Sequence, residues 1–219
     1  MLQIWTTWLE SLRTILEILS SNVGLGSGLA IIVLTLILRF SLLPISWRFA
    51  YSACIHQKRL KNLQPEIQGL RQRFRENPQY LAEATMELYR KNVLRLFETG
   101  PILGALVQMP VLLGLFSVLR QGWEQARFLW IANLSRPDFY LAVIAGATTA
   151  LMILANPDLP EQTRMFMVLL PSIIAFVFAL KFASALALYW IASNCFTAAQ
   201  TWAVHHLVAR RIQSGVIRL

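Results

Sequence analysis

One arginine lies inside a run of apolar residues, and its charge is the strongest chemical signal in the chain. In the stretch LTLILRFSLLPIS (residues 34–46), Arg39 follows Ile and Leu and precedes Phe. A guanidinium stays protonated in proteins and carries five N–H donors, so it needs water, an anion or several acceptors nearby. Arg39 lies eight residues before Trp47, about 12 Å along a helix. That depth is close to the centre of a bilayer; snorkelling of the side chain to the headgroups is the alternative interpretation.

The residues available to balance Arg39 are neutral. All eleven Asp and Glu residues lie in the N-terminal segment, in one polar insert or in loops, and none lies within a predicted apolar span. A permanent cation surrounded by neutral acceptors predicts a hydrated cavity that can receive an anion supplied from elsewhere. The candidate groove residues are Arg39, Gln108, Thr148, Thr149, Asn194, Thr197 and Gln200.

The sequence contains no motif that predicts catalysis. It has no P-loop, no pair of histidines at metal-binding spacing, no GxSxG and no Gly-rich dinucleotide turn. His205 and His206 are adjacent, so they point to different helix faces and are poor joint ligands. We therefore expect a non-enzymatic protein without a metal or cofactor. Cys54 and Cys195 are expected to be unpaired thiols.

The composition is typical of a membrane protein. Hydrophobic residues make up 56% of the chain and charged residues only 14%, whereas soluble domains have about 25% charged residues. The net charge of +9 comes from basic residues at the edges of apolar segments and in the polar insert. This distribution predicts membrane orientation signals and argues against a nucleic-acid partner. The first arginine is Arg13, and we expect no ordinary signal peptide.

Apolar periodicity predicts an all-α membrane protein with five transmembrane helices, an N-terminal interfacial amphipathic helix and a cytoplasmic helical hairpin. Residues 1–22 place an apolar stripe opposite a charged face, which predicts a helix at the outer headgroup boundary; an amphipathic helix packed on a soluble core is the alternative. The predicted spans are residues 29–47 and, within 101–204, residues 101–119, 139–155, 165–180 and 183–204. The last two spans could instead form one broken element.

The long polar insert, residues 48–98, shows two apolar seams interrupted by RENPQ at residues 75–79. This pattern predicts two antiparallel helices outside the membrane. Fourteen of the 20 Lys and Arg residues fall on the side of this hairpin and of the short tail, residues 205–219. The positive-inside rule therefore predicts that the hairpin and the C-terminus are cytoplasmic and the N-terminus is outside.

Several stretches together resemble the YidC/Oxa/Alb family of membrane protein insertases. They are LQPEIQGLRQRF (residues 63–74), LVQMPVLLGLFSVL (106–119), LALYWIASNCFTAAQ (186–200), and the arginine of the first span followed by LLPIS. The resemblance implies a bacterial cytoplasmic (inner) membrane protein with a hydrophilic groove, open to the cytoplasm and closed to the outside, in which Arg39 attracts polar or acidic parts of a client. The client's apolar helix would then enter the lipid along the third and fifth spans.

The partners implied by the resemblance are nascent or newly made membrane proteins and the lipid bilayer, with the ribosome or the Sec translocon as further candidates. The short tail predicts that autonomous ribosome docking is weak. Two other functions remain open from the residues alone. One is a small transporter or channel in which Arg39 binds an anionic solute, although no internal repeat supports it. The other is a structural subunit of a larger membrane complex, with the hairpin as its docking arm.

Overall fold

The structure is a computed structural model that describes residues 2–91, 100–119 and 126–217. Apart from one isolated bridge between Phe128 and Ile131, the regular secondary structure of these residues is helical. A π-helical turn, Ile18–Asn22, follows the first helix. The helices are α1 (Leu2–Glu17), α2 (Ser27–Arg73), α3 (Pro78–Lys91), α4 (Gly100–Leu119), α5 (Phe139–Leu154), α6 (Glu161–Ala179) and α7 (Ser184–Gln213).

Helix α2 is much longer than the predicted first span, because one uninterrupted helix runs through residues 29–47 and on into the predicted hairpin. The turn of that hairpin lies at residues 74–77, and α3 begins at Pro78, a residue suited to the first turn of a helix. The predicted end of the hairpin, residues 92–98, and the last two residues of the predicted tail lie outside the described residues.

One helix among the described residues, α2, is both long and apolar enough to cross a membrane. Of its most apolar 18-residue window, 28% is buried within the protein. The rest is half-buried or exposed, and the large apolar side chains at its surface include Leu29, Ile37 and Phe40. Three shorter apolar helical segments accompany it, namely Gln108–Leu119, Phe139–Leu154 and Thr163–Ala179. The predicted number of five membrane crossings remains a prediction.

The chain divides into two compact units. The first unit comprises residues 1–44 and 106–202 and contains the larger apolar core. Helix α1 contributes Leu12 and Leu16 to that core, and both side chains are fully buried. The Trp8 indole also donates a hydrogen bond to the Pro110 carbonyl of α4 at 3.3 Å. The amphipathic stripe of α1 therefore packs against protein.

Helices α5 and α6 of the first unit pack against each other. The close approach occurs at Gly146, where an added Cβ would lie 3.2 Å from the Ser172 carbonyl oxygen and 3.3 Å from the Phe176 Cβ. Small residues that let helix backbones approach are the usual basis of helix packing in membranes. Asp138 caps the start of α5 by accepting a hydrogen bond from the Leu141 amide at 2.8 Å.

The second unit comprises residues 45–105 and 203–219. A small apolar cluster, centred on Cys54, Val204 and Val208, packs the middle of α2 against the end of α7. The Arg211 guanidinium donates a hydrogen bond to the Tyr51 hydroxyl at 3.0 Å beside this cluster. At the other end of the unit, a cleft of about 470 Å³ lies between the last turns of α2 and α3.

Candidate functional site

Arg39 lies on the inward-facing side of α2, within the first unit. Ile31 and Thr35 precede it at intervals of four residues, and both are buried. Side chains four residues apart share a helix face, so Arg39 continues this buried line. Phe40, the next residue, is 60% exposed and points to a different side of the helix. The Arg39 side chain itself is half-buried.

The Arg39 guanidinium binds a neutral hydroxyl on α7. Its Nε donates a hydrogen bond to Ser193 Oγ at 2.8 Å, and its Nη2 donates to the same oxygen. Within residues 2–91, 100–119 and 126–217, no carboxylate lies within 4.0 Å of this guanidinium, and the other three of its five N–H donors have no protein acceptor. The charge therefore keeps most of its capacity to bind water or an incoming acceptor.

A polar line on α7 extends from Ser193 in both directions. Tyr189, Ser193 and Thr197 are spaced by four residues, and Gln200 follows three residues later, so all four lie near one helix face. Gln108 of α4 donates a hydrogen bond to the Tyr189 hydroxyl at 3.2 Å. The structure thus brings Arg39 and Gln108 to neighbouring positions of the same line, which we call the α7 polar line (residues 189, 193, 197 and 200).

Thr149 and Asn194 form a separate group on an adjacent face of α7. The Asn194 side-chain amide donates to Thr149 Oγ1 at 2.8 Å, and the Trp190 indole donates to the same oxygen at 3.3 Å. Thr149 and Asn194 are both buried. Successive residues of a helix are rotated by about 100°, so Asn194 and Ser193 face different neighbours. This group joins α5 to α7 as a helix–helix contact.

Two of the remaining predicted residues, Thr148 and Thr197, donate hydrogen bonds within their own helices. The Thr148 hydroxyl donates to the Ile144 and Ala145 carbonyls of its own helix, and the Thr197 hydroxyl donates to the Ser193 carbonyl. Thr148, Thr197 and Gln200 are each half-buried. The predicted set of seven therefore separates into two groups: Arg39, Gln108, Thr197 and Gln200 on or beside the α7 polar line, and Thr148, Thr149 and Asn194 on or beside α5.

The sequence profile of the 60Kd inner membrane protein family matches residues 18–211 of this chain. The chain belongs to the 60Kd inner membrane protein family. The resemblance to the YidC/Oxa/Alb family predicted from the sequence is thereby confirmed.

Relatives in this family carry the name membrane protein insertase YidC. The protein of that name from Clostridium tetani (strain Massachusetts / E88) is 34% identical over 187 residues, covering 83% of this chain and 82% of the relative. The one from Stutzerimonas stutzeri (strain A1501) is 35% identical over 195 residues, covering 86% of this chain but 33% of the relative. The chain thus spans about a third of the length of the longer relatives that it matches.

A solved structure has the same fold as this chain. A crystal structure described as an active YidC insertase with its first transmembrane domain resolved superposes with a TM-score of 0.66. The match covers 90% of this chain and 46% of that chain at 24% sequence identity. The helical architecture is therefore that of the family.

Two residues that form hydrogen bonds with predicted groove residues were not among the seven predicted groove residues. Ser193 is the acceptor for Arg39, and Tyr189 is the acceptor for Gln108. The regular spacing of Tyr189, Ser193 and Thr197 in the sequence could have identified both, because it marks one polar face on an otherwise apolar helix.

Proposed function

We propose that this protein is a membrane protein insertase. The observation that carries the proposal is the half-buried Arg39 guanidinium, which binds one neutral hydroxyl and has no carboxylate partner among the described residues. The names of its relatives in the family support the same function. In this proposal Arg39 and the α7 polar line form part of a hydrophilic groove, open to the cytoplasm, that receives polar segments of nascent membrane proteins.

The proposed membrane arrangement has five crossings, formed by the first part of α2, by α4, α5 and α6, and by most of α7. Helix α1 lies at the outer surface, and the hairpin and the C-terminus are cytoplasmic. The length and apolarity of α2 support this placement. Helix α6 supports it as well, because it exposes large apolar side chains such as Met165, Phe166 and Ile174. Contiguous apolar surface of this kind is unfavourable in water and favourable in lipid.

The charge of Arg39 is large enough to change the cost of bringing an acidic client segment into the membrane. Placing an Asp at the centre of a spanning helix costs about 2.5–3.5 kcal/mol. At an effective dielectric constant of about 20, two opposite unit charges about 4 Å apart attract each other by about 4 kcal/mol. The attraction to Arg39 is therefore large enough to offset the transfer cost of a client carboxylate, and this is the proposed contribution of Arg39 to insertion.

The proposed mechanism needs no covalent chemistry, cofactor or metal. A client helix of about 20 apolar residues is long enough to span the bilayer, and burial of each large apolar side chain contributes about 1.5–3 kcal/mol. The overall transfer is thus downhill once the polar flanks have crossed. The role of the protein is to lower the barrier that those polar flanks meet, because unsatisfied polar groups in hydrocarbon cost several kcal/mol each.

Photo-crosslinking to a stalled client tests the proposal. A photoreactive residue at Thr197, on the α7 polar line, should crosslink to a nascent membrane protein held at the stage of insertion. The matched control is Ser172 of α6, which is also half-buried and hydroxyl-bearing. Its hydroxyl donates to the Val168 carbonyl of its own helix. Equal crosslinking from both positions, or none from Thr197, would contradict a client path along this line.

A further inference from the structure

A two-residue turn between α4 and α5 holds a leucine in a strained backbone conformation. Phe128 and Ile131 form reciprocal backbone hydrogen bonds, N to O at 3.0 Å and 2.8 Å, so Leu129 and Trp130 form the tip. Leu129 has φ +51°, and it is the one non-glycine residue with positive φ among the described residues. This left-handed conformation is unfavourable for a side chain with a Cβ, and Gly or Asn is the usual occupant.

The base of this turn is firmly held, so the position of its tip is fixed. Ile131 and Leu134 are buried in the core of the first unit. The Leu134 amide donates to the Ala126 carbonyl at 2.9 Å, and the Leu134 carbonyl accepts from the Ala185 amide of α7 at 3.0 Å. On the other side of the turn, the Phe128 ring packs so closely on Gly28 that it leaves no room for an added Cβ.

The tip itself presents apolar surface outwards. Leu129 is 75% exposed and Trp130 is 53% exposed. The Trp130 indole donates to the Asp138 carboxylate at 3.3 Å, and the same oxygen caps α5, which ties the ring to the start of that helix. Phe139 and Tyr140, the first residues of α5, are 60% and 68% exposed.

The tip and the start of α5 therefore form one exposed aromatic and apolar surface, which we call the outer turn surface (Leu129, Trp130, Phe139 and Tyr140). Its residues match those that membrane proteins place at the boundary between headgroups and hydrocarbon, where Trp and Tyr are enriched. The exposed residues Arg127 and Arg136 border the turn in sequence and supply charges suited to lipid phosphates.

We propose that the outer turn surface is a lipid anchor, which inserts Leu129 and Trp130 into the outer leaflet at the headgroup–hydrocarbon boundary. The occupant of this surface is the lipid bilayer, because the surface is continuous with the exposed apolar side chains of α5, such as Val143 and Leu151. This inference rests on the membrane arrangement given under the proposed function. The anchor would hold the outer ends of α5 and α7 at a fixed depth. The Trp130 indole bonds Asp138, the cap of α5, and Leu134, three residues beyond the turn, accepts a hydrogen bond from Ala185 of α7.

Nitroxide accessibility in vesicles measures the depth of the tip. Three positions are changed to Cys and labelled, each in its own variant with Cys195→Ser as the background. Leu129 is the test position, Leu151 is the lipid reference and Gln72 of α2 is the aqueous reference. Cys54 is buried and can remain. Oxygen concentrates in hydrocarbon and a nickel chelate in water, so the ratio of their collision rates reports depth. We expect a several-fold higher oxygen-to-nickel ratio at Leu129 than at Gln72.

Each outcome of this experiment has a separate meaning. A ratio at Leu129 equal to that at Gln72, with Leu151 in lipid, would overturn the anchor and leave the proposed membrane arrangement intact. A water-exposed label at Leu151 would overturn the arrangement itself. A second variant, Leu129→Asn, should fold because Asn tolerates positive φ. In vesicles the turn amides of this variant should exchange hydrogen several-fold faster than in the parent; equal exchange would contradict anchoring by Leu129.

Discussion

Replacing Thr149 with Val should destabilise the protein through lost hydrogen bonds alone. Valine has nearly the shape of threonine, so the packing between α5 and α7 is retained. The change removes the acceptor of the Asn194 amide at 2.8 Å and of the Trp190 indole at 3.3 Å. Hydrogen bonds between membrane helices contribute about 0.6 kcal/mol on average and up to about 1.7, and an unmade buried bond costs about 1–3 kcal/mol. The Thr149 hydroxyl also donates to the Ala145 carbonyl of its own helix at 2.7 Å. With one short and one long bond between the helices lost, we expect a loss of about 2 kcal/mol.

Thermal unfolding in a fixed detergent or nanodisc measures this loss. For a chain of this size, 2 kcal/mol corresponds to a fall of about 4–8 °C in Tm. The matched control is Thr148→Val in the preceding position, because among the described residues the Thr148 hydroxyl bonds carbonyls of its own helix alone. That variant should change Tm by about 2 °C or less. Equal destabilisation by both variants would refute the assignment of Thr149 to the contact between α5 and α7.

Two further predictions follow from the packing and from a surface ion pair. Gly114→Ala should lower the free energy of unfolding by about 1–3 kcal/mol, because the new Cβ would lie 2.6 Å from the Trp8 indole nitrogen. The control Gly104→Ala should not lower it in the same thermal unfolding assay, because the atom nearest to its new Cβ is 3.9 Å away. The hydrogen bond from Lys91 lowers the pKa of the exposed Glu87 carboxyl. The small stabilisation of α3 by this pair should therefore be present above the unfolded-state pKa of Glu87 and disappear as pH falls through its folded-state pKa. NMR titration of Glu87 in the parent and in Lys91→Ala can follow this change.

The positions of the helices could be predicted closely from apolar runs. The predicted third span, residues 139–155, corresponds to α5 at Phe139–Leu154, and the predicted second span to α4 at Gly100–Leu119. The ends differ where a helix continues past its apolar run. Helix α7 extends to Gln213, beyond the predicted end at residue 204, because backbone hydrogen bonding continues through the polar residues. Hydropathy reports which residues suit lipid, and it does not report where a helix ends.

The pairing of side chains across helices could not be predicted from the sequence. Asn194 was a candidate groove residue and Ser193 was not, yet Ser193 binds Arg39 and Asn194 binds Thr149. These two neighbours differ by about 100° in direction, and only the rotation of α7 against α2 and α5 decides which one meets the arginine. The positive φ of Leu129 was likewise beyond prediction, since a leucine in a two-residue turn contradicts the usual turn preferences.

The measurement that tests the central claim most directly is client insertion into vesicles by variants of Arg39. Two clients that differ only in the charge of the translocated tail, acidic or neutral, are compared with the parent protein and with Arg39→Lys, Arg39→Gln and Arg39→Glu. If the charge of Arg39 acts as proposed, Arg39→Lys retains most insertion of the acidic client. Arg39→Gln should reduce insertion of the acidic client at least tenfold more than insertion of the neutral client, which corresponds to about 1.4 kcal/mol. Arg39→Glu should reduce insertion of the acidic client most. Equal insertion of the acidic client by the parent and by Arg39→Glu would contradict the account.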